Sequence, residues 1–370
     1  MVQAVAQVIA RLLLLLAVAL LPAAAAAQQQ IPVKVPPGFH VEIFASGLGG
    51  VRLMTLDPAG TLLVSVPSRG RVLALPDPDG TGRATAPQTV VEGLDQPHGL
   101  AFKDGRLYVA ETGRVLRFLY DAATRKATRP TVVLPSLPTG GGHWTRTVVF
   151  GPDGAMYVSV GSSCNVCRES DPRRAAVLRY RADGSGEQRF ATGLRNAVGL
   201  AFHPTTGVLW ATVNERDWRG DDVPPDYVTE VKEGGFHGWP GCMTVGGQVQ
   251  ADDRGARCDG VTRPTVELQA HSAPMGLAFY TGRQFPAEYR GNLFVAYRGS
   301  WNRTRLTGYK VVRLRFQDGR PAGPVEDFAT GWLEGAAAWG RPVDVLVGRD
   351  GALYVSDQGA GRIYRISYRP

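Results

Sequence analysis

The sequence predicts an all-β fold, a six-bladed β-propeller of four-stranded antiparallel blades. One phrase, an apolar run, a glycine-centred turn and a second apolar run, recurs six times along the chain. The first four copies recur roughly every 45 to 55 residues, near the period of one propeller blade, and the last two are spread further by inserted loops. Stretches of helical periodicity are few, whereas glycine (46) and proline (26) are plentiful, as many short strands and turns require.

Taken in chain order, the first segment is a leader. Arg11 precedes the apolar run Leu12 to Leu21, and Pro22 and a string of alanines to Ala27 follow it. That pattern reads as a signal peptide over residues 1–27, because the apolar core is too short to span a bilayer comfortably and ends in small residues suited to cleavage. A retained anchor is the alternative, and no basic stop-transfer flank supports it. The expectation is a mature single domain over 28–370, periplasmic or secreted, with no membrane span in its mature form.

The six phrases follow. Leu53-Met54-Thr55-Leu56 leads to Leu62-Leu63-Val64, and Gly99-Leu100-Ala101-Phe102 turns at Asp104-Gly105 into Leu107-Tyr108-Val109. Val148-Val149-Phe150 turns at Asp153-Gly154 into Met156-Tyr157-Val158, and Gly199-Leu200-Ala201-Phe202 turns at Thr206-Gly207 into Val208-Leu209-Trp210. The last two are Gly276-Leu277-Ala278-Phe279 with Leu293-Phe294-Val295, and Val343-Asp344-Val345-Leu346 with Leu353-Tyr354-Val355. Asp-Gly between β-rich runs signals a hairpin, because glycine accepts the positive φ of the turn. One blade cannot cover both of its apolar faces, so six must close into a ring. Phe39 to Phe44 is the candidate to close it, by pairing with Arg362 to Ile366.

A formal charge of +8 raises the question of nucleic acid, but the basic residues are scattered and no RNA-binding signature is present, so the expectation is no nucleic-acid partner. Only five of the 41 basic residues are lysines, so the charge is almost all guanidinium, suited to bidentate recognition of carboxylates. The four cysteines fall into two local pairs, and their proximity favours disulfides Cys164–Cys167 and Cys242–Cys258 in an oxidising compartment. A redox-active pair or a zinc site is the alternative. Arg168, where c-type haem attachment requires histidine, excludes that motif.

Propellers gather chemistry in the loops that enter the inner strands. Gly140-Gly141-Gly142-His143 precedes the third phrase, and neutral His143 there can accept a proton. Arg195 and Asn196 hold the equivalent place before the fourth, offering guanidinium and amide donors. The loop Asn214-Glu215-Arg216-Asp217-Trp218-Arg219-Gly220-Asp221-Asp222 is rich enough in oxygen for a hard cation such as calcium, although it does not match an EF-hand. Arg298 and Arg341 complete a possible cationic pocket with Arg195. For each, the plain alternative is a hydrogen-bonded or solvated loop residue.

These segments together resemble the soluble pyrroloquinoline-quinone (PQQ)-dependent glucose/sorbosone dehydrogenase family, over about Pro36 to Ile366. The resemblance rests on Gly193-Leu194-Arg195-Asn196, Gly199-Leu200-Ala201-Phe202, Asn214-Glu215-Arg216-Asp217 with Gly220-Asp221-Asp222, His237-Gly238-Trp239-Pro240, and Gly299-Ser300-Trp301-Asn302-Arg303. Pro224-Pro225-Asp226 and Ala270-His271-Ser272-Ala273-Pro274 lean toward its sorbosone branch. The resemblance implies oxidation of an aldose or sorbosone-like sugar, with PQQ and calcium as cofactors. It implies His143 as general base, Arg195 as stabiliser of charge on the quinone oxygen, and Asn196, Arg298 and Arg341 as cofactor contacts. Calcium would sit on main-chain carbonyls near Arg216 and Asp217. Two departures stand out: Gly142 replaces the aspartate that orients the histidine, and Arg216-Asp217 replaces Gly-Pro at the metal carbonyls. The partners implied are a small sugar and a separate electron acceptor; His98 and His271 lie near the same loops without an assigned role. Two other readings stay open: a cofactor-free, calcium-dependent lactonase-type propeller and a non-enzymatic binding propeller.

Overall fold

The computed structural model describes residues 31–252 and 256–370, so the leader assigned to 1–27 lies outside the described residues. Residues Val33–Pro370 form one compact unit. It is a six-bladed propeller, and all six hairpin phrases pair antiparallel as the first two strands of a blade. The inner strands are Met54–Leu56, Gly99–Lys103, Val148–Phe150, Ala197–Phe202, Pro274–Phe279 and Pro342–Val347.

The ring closes as the sequence suggests. Strand Phe39–Ala45 adds antiparallel to the C-terminal strand Arg362–Tyr368, with Val41 opposite Ile366 and Glu42 opposite Arg365. The last blade is therefore built from both ends of the chain. Three additions go beyond the four-stranded plan, one of them a small hairpin of Leu333–Glu334 with Ala337–Ala338. The third blade gains a short parallel strand, Gly235–Phe236, beside Gln188–Thr192. That segment belongs to an insertion between the third and fourth strands of blade four, which also carries the hairpin of Cys242–Val245 with Gln248–Ala251.

The apolar core lies between blades rather than inside one. Successive clusters join Leu73 and Val64 of blade one to Tyr354 and Ile363 of blade six, Leu63 to Leu107, Tyr108 to Met156, Tyr157 to Leu209, and Trp210 to Leu293. Between blades five and six the filling is aromatic: Phe39 meets Phe285, Tyr289, Phe328 and Tyr368 edge-on at ring distances of 4.7, 5.1, 5.1 and 5.0 Å. Edge-to-face packing aligns ring edges with ring faces and adds to burial.

Around the channel a second system of contacts is polar. The buried hydroxyls of Ser65, Thr147, Thr212 and Ser356 donate to the carbonyls of His98, Val198, Met275 and Arg52, each on the entrance or inner strand of the next blade. The glycines of the Gly-Leu-Ala-Phe phrases serve this crowding: a Cβ at Gly99 would lie 2.7 Å from the Arg146 carbonyl, and one at Gly199 would lie 2.2 Å from that of Met275. Removing the centre of the aromatic wedge tests closure. Phe39→Ala is expected to cost about 3–5 kcal/mol, read as a lower urea midpoint with unchanged secondary structure; an unaltered midpoint would show that the N-terminal strand does not hold the ring.

Candidate active site

Each blade places a polar residue just before its inner strand: Arg52, His98, His143 with Arg146, Arg195 with Asn196, His271 and Arg341. Five of the seven residues singled out from sequence fare as follows. His143, Arg195, Asn196, Arg298 and Asp217 line one cavity of about 530 Å³ at this end of the channel. Arg341 lies next to Arg298 but outside the lining, its guanidinium 5.2 Å from the Tyr309 ring. Arg216 departs from expectation: its side chain is fully buried and turned into the insertion, bonded to Glu215, the Pro240 and Cys242 carbonyls, and Asp252. Only its main chain remains available to a ligand.

The orienting group for His143, absent from the neighbouring sequence position, comes from the next hairpin. Its Nδ1 lies 2.9 Å from both the main-chain oxygen and the hydroxyl of Ser162, and that hydroxyl donates to the Cys164 carbonyl at 2.7 Å. A carbonyl accepts only, so Nδ1 carries the proton and Nε2 is left as the basic nitrogen. Burial, reinforced by the charge of Arg195, lowers the imidazole pKa to about 4. The ring is neutral at neutral pH. Gly161 sits between His143 and Asn196; a Cβ there would lie 2.6 Å from the His143 Cβ and 2.4 Å from the Asn196 amide oxygen.

Arg195 is bound by protein at every N–H. Nε donates to the Asn165 carbonyl, Nη1 to the carbonyls of Asn214 and Glu215, and Nη2 to the Asn165 side chain and to Asp217, over 2.7–3.3 Å. A guanidinium has five N–H donors, so Arg195 offers a ligand its charge rather than a free hydrogen bond. Asn165 is the hub sequence reasoning missed. Its side chain also accepts from the Asp217 amide and donates to the Asp217 carbonyl, while its own carbonyl accepts from the Trp239 indole. It sits inside the Cys164–Cys167 disulfide loop, and both expected disulfides are formed.

A second missed residue is Arg52. It is buried, lines the cavity and shares the Gln358 side-chain oxygen with Arg298, each at 2.9 Å; its other contact is the His98 ring at 3.2 Å. Its Nε has no partner, and burial together with Arg298 lowers its pKa to about 9. Among the described residues, Arg52, Arg298 and Arg341 form no ion pair. A buried Arg52 beside a half-buried Arg298, neither in a salt bridge, favours an anion from outside. The signal was present in the sequence: Arg52 holds the same place before its inner strand as Arg195 and Arg341. His98, by contrast, does not line the cavity and supports Arg52 from behind, and His271 lines it with its Nε2 held by the Gly220 carbonyl at 2.9 Å.

The motif around Trp301 closes over the acidic loop. Asn302 donates to the Asp217 carboxylate at 2.8 Å, the Arg303 guanidinium pairs with Asp222, and Asp221 accepts from the Thr304 amide. The acidic side chains thus go to loop architecture. Among the oxygens of the bend, the carbonyls of Asn214, Glu215 and Asp217 each accept a side-chain donor, while the Arg216 carbonyl accepts none from the described residues.

Residues 33–255 and 243–369 match the family model described as TrAA12-like. The chain belongs to that family. Among relatives, the pyrroloquinoline quinone-dependent pyranose dehydrogenase of Coprinopsis cinerea is 28% identical over 404 residues, which cover 90% of this chain and 54% of that protein. This chain therefore spans about half the length of that relative. An aldose sugar dehydrogenase of Escherichia coli is 24% identical over 255 residues, 64% of this chain and 62% of that one. Among solved structures, the holo form of the Coprinopsis pyranose dehydrogenase PQQ domain superposes with a TM-score of 0.79 at 25% identity, covering 90% of this chain and 97% of that one. A calcium structure of a Trichoderma reesei family AA12 carbohydrate-active enzyme gives 0.81 at 22% identity, covering 93% and 99%, a likeness of fold. The resemblance read from the motifs is borne out at the level of the family.

The glycine beneath the histidine gives the sharpest check on this geometry. Gly161→Ala is expected to fold, with unchanged circular dichroism, yet to shift the His143 imidazole resonances. An identical histidine spectrum would mean that the two side chains do not depend on the missing Cβ.

Proposed function

We propose that this protein is a PQQ-dependent sugar dehydrogenase that oxidises an aldose at its anomeric carbon and passes the electrons to a separate acceptor. The observation that carries the reading is a buried Arg52 and a half-buried Arg298 that form no ion pair, beside a neutral, oriented histidine. PQQ carries three carboxylates, and Arg52 and Arg298 would hold them, with Arg341 at the margin and the partnerless amide oxygen of Asn196 free for a polar group of the same ligand. When bound, the quinone supplies an electrophilic carbonyl that accepts hydride. Calcium fits less fully: it would draw on the Arg216 carbonyl and the second lone pair of the Asp217 carbonyl, with no free carboxylate to assist.

The residues of this chain divide the work. His143 Nε2 removes the proton from the anomeric hydroxyl, so the C1–H electron pair leaves as hydride and the carbonyl of the lactone forms in its place. Ser162 holds the ring so that the basic nitrogen points away from the protein hydrogen bond. Arg195, fixed in advance by Asn165 and Asp217, contributes positive charge where negative charge develops, which costs no reorganisation during the reaction. The disulfides and the leader pattern support a periplasmic or secreted location. The pyranose dehydrogenase among the relatives supports a pyranose substrate, and the sorbosone-like motifs keep sorbosone on the substrate panel.

Apoprotein mixed with PQQ and calcium is expected to gain dye-linked oxidation of aldoses. His143→Gln is expected to lose turnover by about 100- to 10,000-fold, the usual span of general-base catalysis, while still binding PQQ by its visible absorbance. Failure to bind PQQ, with hydrolysis of lactones in its place, would sink the dehydrogenase and support the calcium hydrolase.

The pH profile tests the charge arrangement separately. A base with a lowered pKa is functional above that pKa, so activity is expected to hold as pH falls until about pH 4 and then drop. Arg195→Gln removes one cause of the lowering and is expected to move this acid limb upward, toward the ordinary histidine value. An unmoved limb would mean that the charge of Arg195 does not act on the titrating group.

A further inference from the structure

At the mouth of the cavity stand two tryptophans in full view of solvent. Trp218 is 69% exposed and Trp301 is 61% exposed, and they are the largest of the exposed apolar side chains among the described residues. They touch, with ring centroids 5.1 Å apart and planes at 86°, and both line the cavity that holds His143. Two perpendicular indole walls make a corner.

This corner is held, not loose. Trp218 occupies a left-handed backbone conformation, φ 69°, which a bulky side chain rarely adopts without support. Support comes from both neighbours: Asp217 is bonded by Asn165, Arg195 and Asn302, and Arg219 pairs with Asp252. Trp301 stands between Ser300, which is buried and joined to Thr307 through main chain and hydroxyl, and Asn302, which is tied to Asp217. Strained or exposed aromatics on anchored loops mark binding surfaces.

The surroundings say what binds. Asp217 and Asn302, the chain neighbours of the two indoles, put a carboxylate and an amide in the same cavity lining, a setting unsuited to a lipid tail. Two side chains are far too small for a stable protein interface, which takes about 800 Å² from each partner. A sugar ring matches both features, since its C–H face stacks on an aromatic wall while its hydroxyls reach polar neighbours. The ring being oxidised must bring its anomeric carbon to His143, inside the cavity. The exposed rim is therefore left for the ring attached to it.

We propose that Trp218 and Trp301 form a stacking subsite for the second ring of an oligosaccharide whose reducing end enters the cavity. The substrate class is then a short glycan rather than a free monosaccharide alone, and the inference rests on the sugar dehydrogenase reading above. The test uses holoenzyme reconstituted with PQQ and calcium, assayed on glucose, cellobiose, cellotriose, maltose and maltotriose. Cellobiose or maltose is expected to have a higher kcat/KM than glucose, with little further gain from the trisaccharides, and Trp301→Ala and Trp218→Ala are each expected to cut that preference about tenfold, mainly through KM. Trp301→Phe keeps an aromatic wall and is expected to restore most of it. In parallel, tryptophan fluorescence of the apoprotein is titrated with cellotriose and maltotriose; saturable quenching is expected in the wild type and its loss in the double alanine variant with native circular dichroism. Quenching without any oxidation would uphold the subsite and overturn the dehydrogenase reading. Oxidation with no preference for a disaccharide over glucose, or a preference that the alanine variants leave intact, would overturn the subsite.

Discussion

The site depends on buried hydroxyls that tie blades together at four of the six junctions around the channel. Ser65, Thr147, Thr212 and Ser356 spend their protons on carbonyls of neighbouring inner strands or of the residues just before them. Those carbonyls belong to His98, Val198, Met275 and Arg52, so the bonds act at or beside the positions that face the cavity. A buried carbonyl left without a donor would cost about 1–3 kcal/mol, which makes each link a constraint on where the next entrance loop begins. Apolar packing between blades sets the spacing of the wheel; these polar links set the angular position of its loops.

Within that frame the arginines divide into two kinds. Arg195 and Arg216 are buried and fully engaged, the first by Asn165 and Asp217, the second by Glu215, Asp252 and main-chain carbonyls. They act as internal ties that shape the loop from Asn214 to Asp222. Arg52 and Arg298 share one neutral acceptor, Gln358, form no salt bridge among the described residues, and retain unsatisfied donors. Burial lowers the pKa of both, reinforced at Arg52 by the charge of Arg298 and at Arg298 by that of Arg341. A fold that keeps two such groups together sets aside stability for an anion, and that asymmetry, more than the number of arginines, distinguishes a binding pocket from a structural network.

The repeats made the architecture legible, because hairpin turns and alternating apolar runs are local signals that six copies reinforce. Pairing of Phe39–Ala45 with the last strand was legible for the same reason: both are β-rich runs with no other partner in the repeat scheme. The cavity lining was legible where position repeated from blade to blade, as for His143 and Arg195, whereas Arg341 shares that position yet stands outside the lining. It was not legible where a side chain turned away from the place its sequence neighbours occupy. Arg216 adjoins Asp217, which lines the cavity, yet its guanidinium is wholly buried in the insertion, since an i, i+1 pair on an irregular loop has no fixed relative direction. Asn165 was hidden differently, because a residue between two cysteines reads as filler until the disulfide bends its amide onto Arg195 and Asp217.

That disulfide loop links the two halves of the proposed chemistry. Ser162, two residues before Cys164, orients His143 and bonds the Cys164 carbonyl; Asn165, one residue after it, clamps Arg195. Base and cationic stabiliser are therefore referenced to one short stretch of chain rather than to each other. Direct contact between an imidazole and a guanidinium would be repulsive once the ring gained a proton. Holding both from a common, cross-linked support lets the positive charge sit near enough to depress the histidine pKa without either group relying on the other for its place. The missing aspartate before His143 fits the same logic: a carboxylate there would raise the basicity that Arg195 lowers, whereas a neutral carbonyl and hydroxyl fix the tautomer and add no charge.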